Sequence, residues 1–269
     1  MATEAACARG LLNEDSNDLN IWKKAESNEA FEYSNCPIDE NGRKPPATIG
    51  FTWCFEIRNM NWNFDQLERA QRYKLLVGLV VPRPIALVTS QSETGVVNAA
   101  PFSFFNVLAD EPPLVILSIE DRDTGPLKDS ARNMMASGEF VVNLVDESIA
   151  ARMHACAVDY PSDVSEIEIV GFTTAPSVFV TPPRIAEAPA ALECTLHSKV
   201  EIGTRRILFG QVRRLHVREG LIDSANLRVD MEKYQPVGRL FANRYCKTGD
   251  QFALEKNAYL ERMQGAGRV

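Results

Sequence analysis

The chain alternates short runs of β-forming residues with turn signals, and only a few stretches have helical spacing. Ile85–Thr89 is an apolar run that turns at Ser92–Gly95 and returns through Val96 and Val97. This is the pattern of a hairpin feeding a loop, here one of small, polar and aromatic residues that continues to Phe105. Further strands are predicted at Leu114–Ile119, Phe140–Val145, Ala191–Ile202 and Ile207–Val217. The last two form a long hairpin through the turn at Gly203–Arg206, with Leu192, Cys194 and Leu196 alternating with polar residues. Helical spacing occurs in Phe64–Leu76, with Leu67, Ala70 and Leu75 apolar, and Gly78 with Pro82-Arg-Pro84 is expected to end that helix. A second helix is predicted from Pro126 to a stop at Gly138, with Asp129 in its first turn, and a third from about Ser148 to Cys156. The acidic, turn-rich stretch Asp159–Gly171 reads as surface loop with one short helix and is a candidate lid. Strands spaced by turns, with few helices between them, argue for a barrel over a parallel α/β sheet. The predicted class is therefore mainly β with peripheral helices.

Composition divides the chain. Residues 1–59 are rich in Asn, Glu, Asp and Ser, with a turn signal at Asn41–Pro46 and one candidate strand at Ile49–Ile57. They read as an extension, partly ordered or packed on the core or a neighbouring subunit, ahead of a main domain at 60–269. Hydrophobic content of 45% leaves material for a sizeable core. The net charge of −7, with no clustered basic block, argues against a nucleic-acid partner. The sequence has no apolar run of the roughly 18 residues that cross a bilayer, so no membrane association is expected and the expected compartment is cytoplasmic. Cys7, Cys36, Cys54, Cys156, Cys194 and Cys246 are scattered without a Cys-x-x-Cys pair and read as reduced structural thiols. His154, His197 and His216 are too dispersed to suggest a metal site.

A bound phosphate needs hydroxyl or N–H donors and a cation. Thr89 and Ser90 on the first strand, with Lys128 and Ser130 at a helix start, offer such a set. Neither a Gly-x-Gly-x-x-Gly nor a Walker-type loop is present, so the nucleotide folds that depend on them find no support.

The blocks Pro82–Ser90, Asn98–Phe105, Lys128–Asn133, Gly138–Asn143 and Tyr234–Leu240 occur in the order of the flavin reductase-like, FMN-binding split-barrel family. The chain resembles most its flavoprotein oxygenase branch, over about Met60 to Leu254. The resemblance implies an FMN-binding split β-barrel, a homodimer with FMN near the interface, and a small-molecule substrate. By carry-over, Thr89, Ser90, Lys128 and Ser130 hold the phosphate, while Asn98, Ala99, Pro101, Phe102 and Ser103 line the ribityl chain and isoalloxazine. Barrel core is expected for at least two of Phe102, Phe104 and Phe105. His154, Arg239, Phe241 and Tyr245 are candidates for the substrate side, Arg239 because a nicotinamide dinucleotide presents phosphates. Phe241 and Ala242 stand where relatives usually carry glycines, which reshapes the loop and allows a specialised substrate. The expected activity is that of an FMN-dependent oxidoreductase drawing on NADH or NADPH and reducing flavin or a small organic acceptor. The alternatives are an oxygenase or other flavoenzyme acting on one metabolite, and a flavin electron carrier.

Overall fold

The apolar run after Pro84 forms β1 (Ala86–Gln91), whose residues Ala86 to Ser90 are buried on both faces of the sheet. In the computed structural model, residues 60–122, 125 and 127–254 are described, and the chain separates into Met1–Asn63 and a unit spanning Phe64–Val269. The expected strand at Ile49–Ile57, the turn at Asn41–Pro46, the helix start at Pro126, and Cys7, Cys36 and Cys54 lie outside the described residues.

A turn in which Ser92 N–H bonds Val96 O returns the chain as β2 (Val97–Phe102). β3 (Phe105–Asp110) and β4 (Pro113–Glu120) follow, then β5 (Glu139–Leu144). One short pair, β6 (Thr174–Ala175) with β7 (Arg184–Ile185), precedes the long hairpin of β8 (Ala190–Ile202) and β9 (Arg205–Val217). β10 (Ile222–Asp223) pairs with β11 (Arg228–Val229), and β12 (Val237–Arg239) with β13 (Tyr245–Lys247). Among the described residues, seven strands make one antiparallel sheet in the order β2-β1-β5-β8-β9-β4-β3.

That order forces the sheet to roll. Laid flat, its outer strands β2 and β3 would be separated by six steps of about 4.8 Å, roughly 29 Å. Yet β2 ends at Phe102 and β3 begins at Phe105, and three residue steps of chain reach only about 10 Å. The two edges are therefore brought together at Ser103 and Phe104, which is what makes a barrel of the sheet.

Two large apolar clusters follow from the alternation along β1. Ala86 and Val88 face a cluster with Phe105, Leu117, Phe140, Val142 and Leu208. Leu87 faces the other, with Val145, Ile149, Met153, Ile167 and Ile185. Phe105 is buried and Phe102 packs against the same cluster, as expected for two of the three phenylalanines. The tip of the Phe140 ring points at Gly210, where a Cβ would overlap its Cζ. Glycine at 210 is required by this close approach of ring to backbone.

Helices cover the sheet. α1 (Arg69–Leu79) opens with a reciprocal capping box between Glu68 and Gln71. It differs from expectation: it runs through Gly78 and buries Val77 alone, leaving Leu67 and Leu75 half-buried and Ala70 exposed. α2 (Asp129–Ser137) stops at Gly138 in the left-handed conformation, with Ala131 and Met134 buried in the barrel-side cluster. The third predicted helix divides into a 3-10 turn at Glu147–Ile149, capped by Asp146, and α3 (Ala150–Ala155). α4 (Glu166–Val170) is the short helix of the acidic stretch. The sequence pattern predicts neither β3, β6, the β10–β11 pair nor the β12–β13 hairpin, and the expected loop after Val97 is strand β2 as far as Phe102.

Behind the sheet, Glu193 on β8 has no exposed surface and holds a loop in place. Its carboxylate accepts from the backbone N–H groups of Val178 (2.8 Å), Phe179 and Val180 (3.1 Å) and pairs with His216 Nε2. Burial alone would raise its pKa; the hydrogen bonds from His216 and the three N–H groups outweigh burial and hold it below the usual carboxylate value.

Two stability experiments follow. Gly210→Ala should cost about 1–3 kcal/mol in urea unfolding, and adding Phe140→Leu should recover part of the loss by removing the overlapping ring; a loss unchanged by the second substitution would exclude ring overlap as its cause. A carboxylate with a depressed folded pKa stabilises above its unfolded value of about 4.3 and loses that contribution as pH falls through the folded value. Glu193→Gln should therefore cost about 2–3 kcal/mol at neutral pH and flatten the acid limb of the stability curve. A variant curve parallel to wild type through the acid limb would contradict this.

Candidate functional site

The start of α2 is built to meet an anion. Its N-cap residue, Lys128, is extended and offers no side-chain acceptor to the first-turn N–H groups, so these remain available. The first-turn carboxylate, Asp129, is occupied by Arg122 at 2.6 Å and by Arg132. Burial works to raise the Asp129 pKa, but the two guanidinium groups outweigh it and keep the group ionised below its ordinary value. Three cations thus stand against one carboxylate at this helix start. The Lys128 side chain is half-buried and has no hydrogen-bond or ion-pair partner among the described residues.

α2 is keyed to the hairpin below it by buried polar contacts. Ser130 Oγ donates to Asn98 Oδ1 at 2.8 Å, and Asn133 Nδ2 donates to Ser90 Oγ at 3.4 Å. Ser90 and Asn98 are paired across β1 and β2, which places both side chains on the α2 face. Thr89, the neighbour of Ser90, points to the opposite face. Its hydroxyl donates to Pro183 O at 2.6 Å and lies 3.3 Å from Asn143 Nδ2. The fold therefore gathers Ser90, Asn98, Lys128 and Ser130 at one place and sets the Thr89 side chain apart from them.

β2 is an edge strand, and its exposed backbone is managed explicitly. Glu166 at the start of α4 accepts from Asn98 Nδ2 (2.8 Å) and from the outward-facing N–H of Ala99 (2.9 Å), while Ser165 Oγ donates to Val97 O at 2.7 Å. Pro101, two residues beyond Ala99, shares its outward orientation, where a missing N–H breaks no ladder bond. The acidic stretch thus anchors to the strand edge, with Glu166 and Ile167 buried. Glu166 could not be singled out from sequence, because a glutamate in a first helical turn is ordinarily solvated. Phe102 and Ser103 close the strand, and Phe104 lies under the Arg205 guanidinium, 4.7 Å from its ring centre.

The substrate-side candidates come together. His154 Nδ1 and the Tyr245 hydroxyl are 2.8 Å apart, and Arg239 Nη1 donates to the same hydroxyl. The Arg239 guanidinium also lies 4.7 Å from the Tyr245 ring centre. Arginine only donates, so Tyr245 O accepts from Arg239 and its O–H is free to donate to His154 Nδ1, which leaves the exposed Nε2 edge of His154 unengaged. Phe241, 43% exposed, sits beside the last turn of α1, with Gly78 opposite its ring. An open cavity of about 530 Å³ lies elsewhere, between the β1–β2 turn and α4, lined in part by Val96, Asp163, Glu168 and Phe172. None of the predicted site residues lines it. Among the described residues, no group of three or more His, Cys, Asp or Glu could hold a metal ion, and no helix is long and apolar enough to cross a membrane.

An antiparallel sheet rolled shut at one corner, with a helix start aimed at its edge hairpin, defines a split-barrel protein of the flavin reductase type, and known proteins agree. The flavin reductase like domain model matches residues 78–238, and the chain belongs to that family. The structure of 2-nitrobenzoate 2-nitroreductase NbaA from Pseudomonas fluorescens superposes with a TM-score of 0.69 at 40% identity, covering 74% of this chain and 98% of that one. Nitrilotriacetate monooxygenase component B from Bacillus cereus gives 0.70 at 37% identity, with 73% and 98% covered. YwrF of Bacillus subtilis is 39% identical over 196 residues, 71% of this chain and 95% of its own length.

The donor set at α2, an ammonium and uncapped N–H groups, suits a phosphate monoester. Lys128→Ala should weaken FMN binding about 10–100-fold while changing riboflavin affinity less than threefold, both read by quenching of flavin fluorescence. Equal losses for the two flavins would remove the phosphate role.

Proposed function

We propose that this chain is an FMN-dependent oxidoreductase that takes hydride from NADH or NADPH and reduces flavin or a small organic acceptor. The observation that carries the reading is the uncapped, cation-rich start of α2 set against the β1–β2 hairpin. Lys128 and the first-turn N–H groups, that of Ser130 among them, hold the phosphate of FMN, while Asn98 buttresses the Ser130 hydroxyl and Ser90 buttresses Asn133. Pro101, Phe102 and Ser103, each half-buried, would line the isoalloxazine, whereas Ala99 is fully buried with its N–H held by Glu166. FMN, when bound, supplies the hydride and electron chemistry, so the chain itself needs to bind, orient and exclude water. Arg239, braced by Tyr245, meets an anionic group of the donor or acceptor, and the free edge of His154 faces the same solvent-accessible space. An anionic acceptor accords with the names of the two solved relatives, which point to 2-nitrobenzoate and nitrilotriacetate.

Phe241 favours a second reading, a flavoenzyme acting on one defined metabolite. Its ring occupies the loop that carries the substrate-side residues, and Ala242 beside it takes a left-handed backbone, φ 54°. We also propose a cytoplasmic homodimer, for which the exposed apolar row of α1, Tyr73, Leu76 and Leu79 with Val80, offers a surface that a second copy of the chain would cover.

Anaerobic addition of NADH or NADPH to the FMN-loaded protein should bleach the oxidised flavin band within seconds to minutes, and Arg239→Ala should raise the KM for the nucleotide about tenfold. Bleaching by dithionite but by neither nucleotide would make the chain an electron carrier; a protein that neither carries nor takes up FMN would remove the flavin reading altogether.

A further inference from the structure

Arg83 lies between two prolines in a motif to which the functional reading gives no task, and it touches more separate parts of the site than any residue described above. Pro84 restricts the residue before it to extended backbone, and in that conformation Arg83 forms a two-way bridge with Arg239. Arg83 N–H donates to Arg239 O at 3.0 Å, and Arg239 N–H donates to Arg83 O at 2.8 Å. The side chain turns the other way. Nη1 donates to Val77 O (2.6 Å) and Val80 O (2.8 Å) at the end of α1, where a cation also complements the helix dipole. Nη2 donates to Leu240 O at 2.9 Å, and Nε faces Ser103 Oγ at 3.5 Å.

The junction around it is tight. A Cβ on Gly238 would stand 2.6 Å from Pro82 Cβ and 3.0 Å from Cys246 Sγ, so the β12–β13 hairpin is pressed against the Pro82-Arg83 segment. Arg239 and Tyr245 are paired across that hairpin. The position of the Arg239–Tyr245–His154 chain relative to Ser103, at the barrel corner, is therefore transmitted through Arg83.

We infer that Arg83 is a positioning residue: its fork of donors fixes the hairpin bearing Arg239 and Tyr245 at a set distance from the cofactor strand, and so determines how well the nicotinamide donor is held without itself binding FMN. This rests on the functional reading given above. Lysine keeps the charge but not the planar fork, and can serve one or two of these carbonyls where arginine serves three.

Arg83→Lys and Arg83→Met separate this role from general support of the fold. For the lysine variant, the dissociation constant for FMN should stay within twofold of wild type, with the KM for the nucleotide rising about tenfold and kcat falling less than threefold. The methionine variant should move the same quantities further in the same direction. Amide hydrogen exchange should accelerate in Val237–Lys247 and remain unchanged in Val97–Phe102. An unchanged KM would overturn the inference, as would FMN affinity, kcat and KM worsening together with exchange accelerated across the whole sheet. If neither nucleotide reduces the wild-type protein, the functional reading fails, and exchange alone decides: selective acceleration of Val237–Lys247 upholds the positioning role, and uniform or absent acceleration refutes it.

Discussion

The two residues Ser103 and Phe104 impose the shape on which everything else depends. They join the first and last strands of a seven-stranded sheet, and a link that short permits only a rolled sheet. Rolling gives each strand an inner and an outer face, so β1, near the middle of the site, is buried on both and reads as a continuous apolar run. Rolling brings β2 to β3 at this corner without pairing them, so β2 remains an edge that must be covered. The cover is polar: Glu166 and Ser165 bond the outward groups of Val97 and Ala99, and Pro101 carries no N–H to satisfy.

A consequence is that the candidate cofactor strand is held from three directions by hydrogen bonds that connect to one another. Ser130 reaches Asn98 from α2, Asn98 reaches Glu166 on α4, and Glu166 returns to the backbone of Ala99. Buried polar chains of this kind are costly when any member is unpaired, so they fix geometry more strictly than apolar packing does. The start of α2, where the candidate anion-binding groups lie, is thereby set relative to the strand that would face a flavin ring.

Much of this was legible in the order of residues. β1, β4, β5 and the β8–β9 hairpin announce themselves through apolar runs and the turns at Ser92–Gly95 and Gly203–Arg206, and Gly138 marks the end of α2, whereas β2 reads as loop beyond Val97 because Asn98-Ala-Ala-Pro101 lacks β-forming residues. β3 was not legible either, because Asn106, Val107 and Leu108 are exposed on an edge and show no alternation. α1 misled in another way: its apolar positions suggest a core-facing stripe, yet Val77 alone is buried, and its last turn is held by the side chain of Arg83 in place of a glycine stop. Of the candidate site residues, Ser90, Asn98 and Ser130 converge. The face to which each side chain turns was not readable. Thr89 and Ser90 are adjacent in sequence and equivalent in chemistry, and the alternation of a strand sends them to opposite sides.

The same limit applies to long-range partners. Arg83 and Glu166 gain their meaning from carbonyls and N–H groups scores of residues away, and no spacing rule links position 83 to 240 or 166 to 98. What the fold adds to the motifs is a division of labour between two walls. One wall, α2 with β2, is locked by buried hydrogen bonds and carries the candidate donors for a phosphate. The other, the β12–β13 hairpin with His154, is largely exposed and is tied to the first through Arg83 and a close approach at Gly238. A rigid wall suits a group that stays bound, and an exposed one suits partners that come and go. Variation in substrate among proteins of this shape is therefore more easily accommodated around Phe241 than around Lys128.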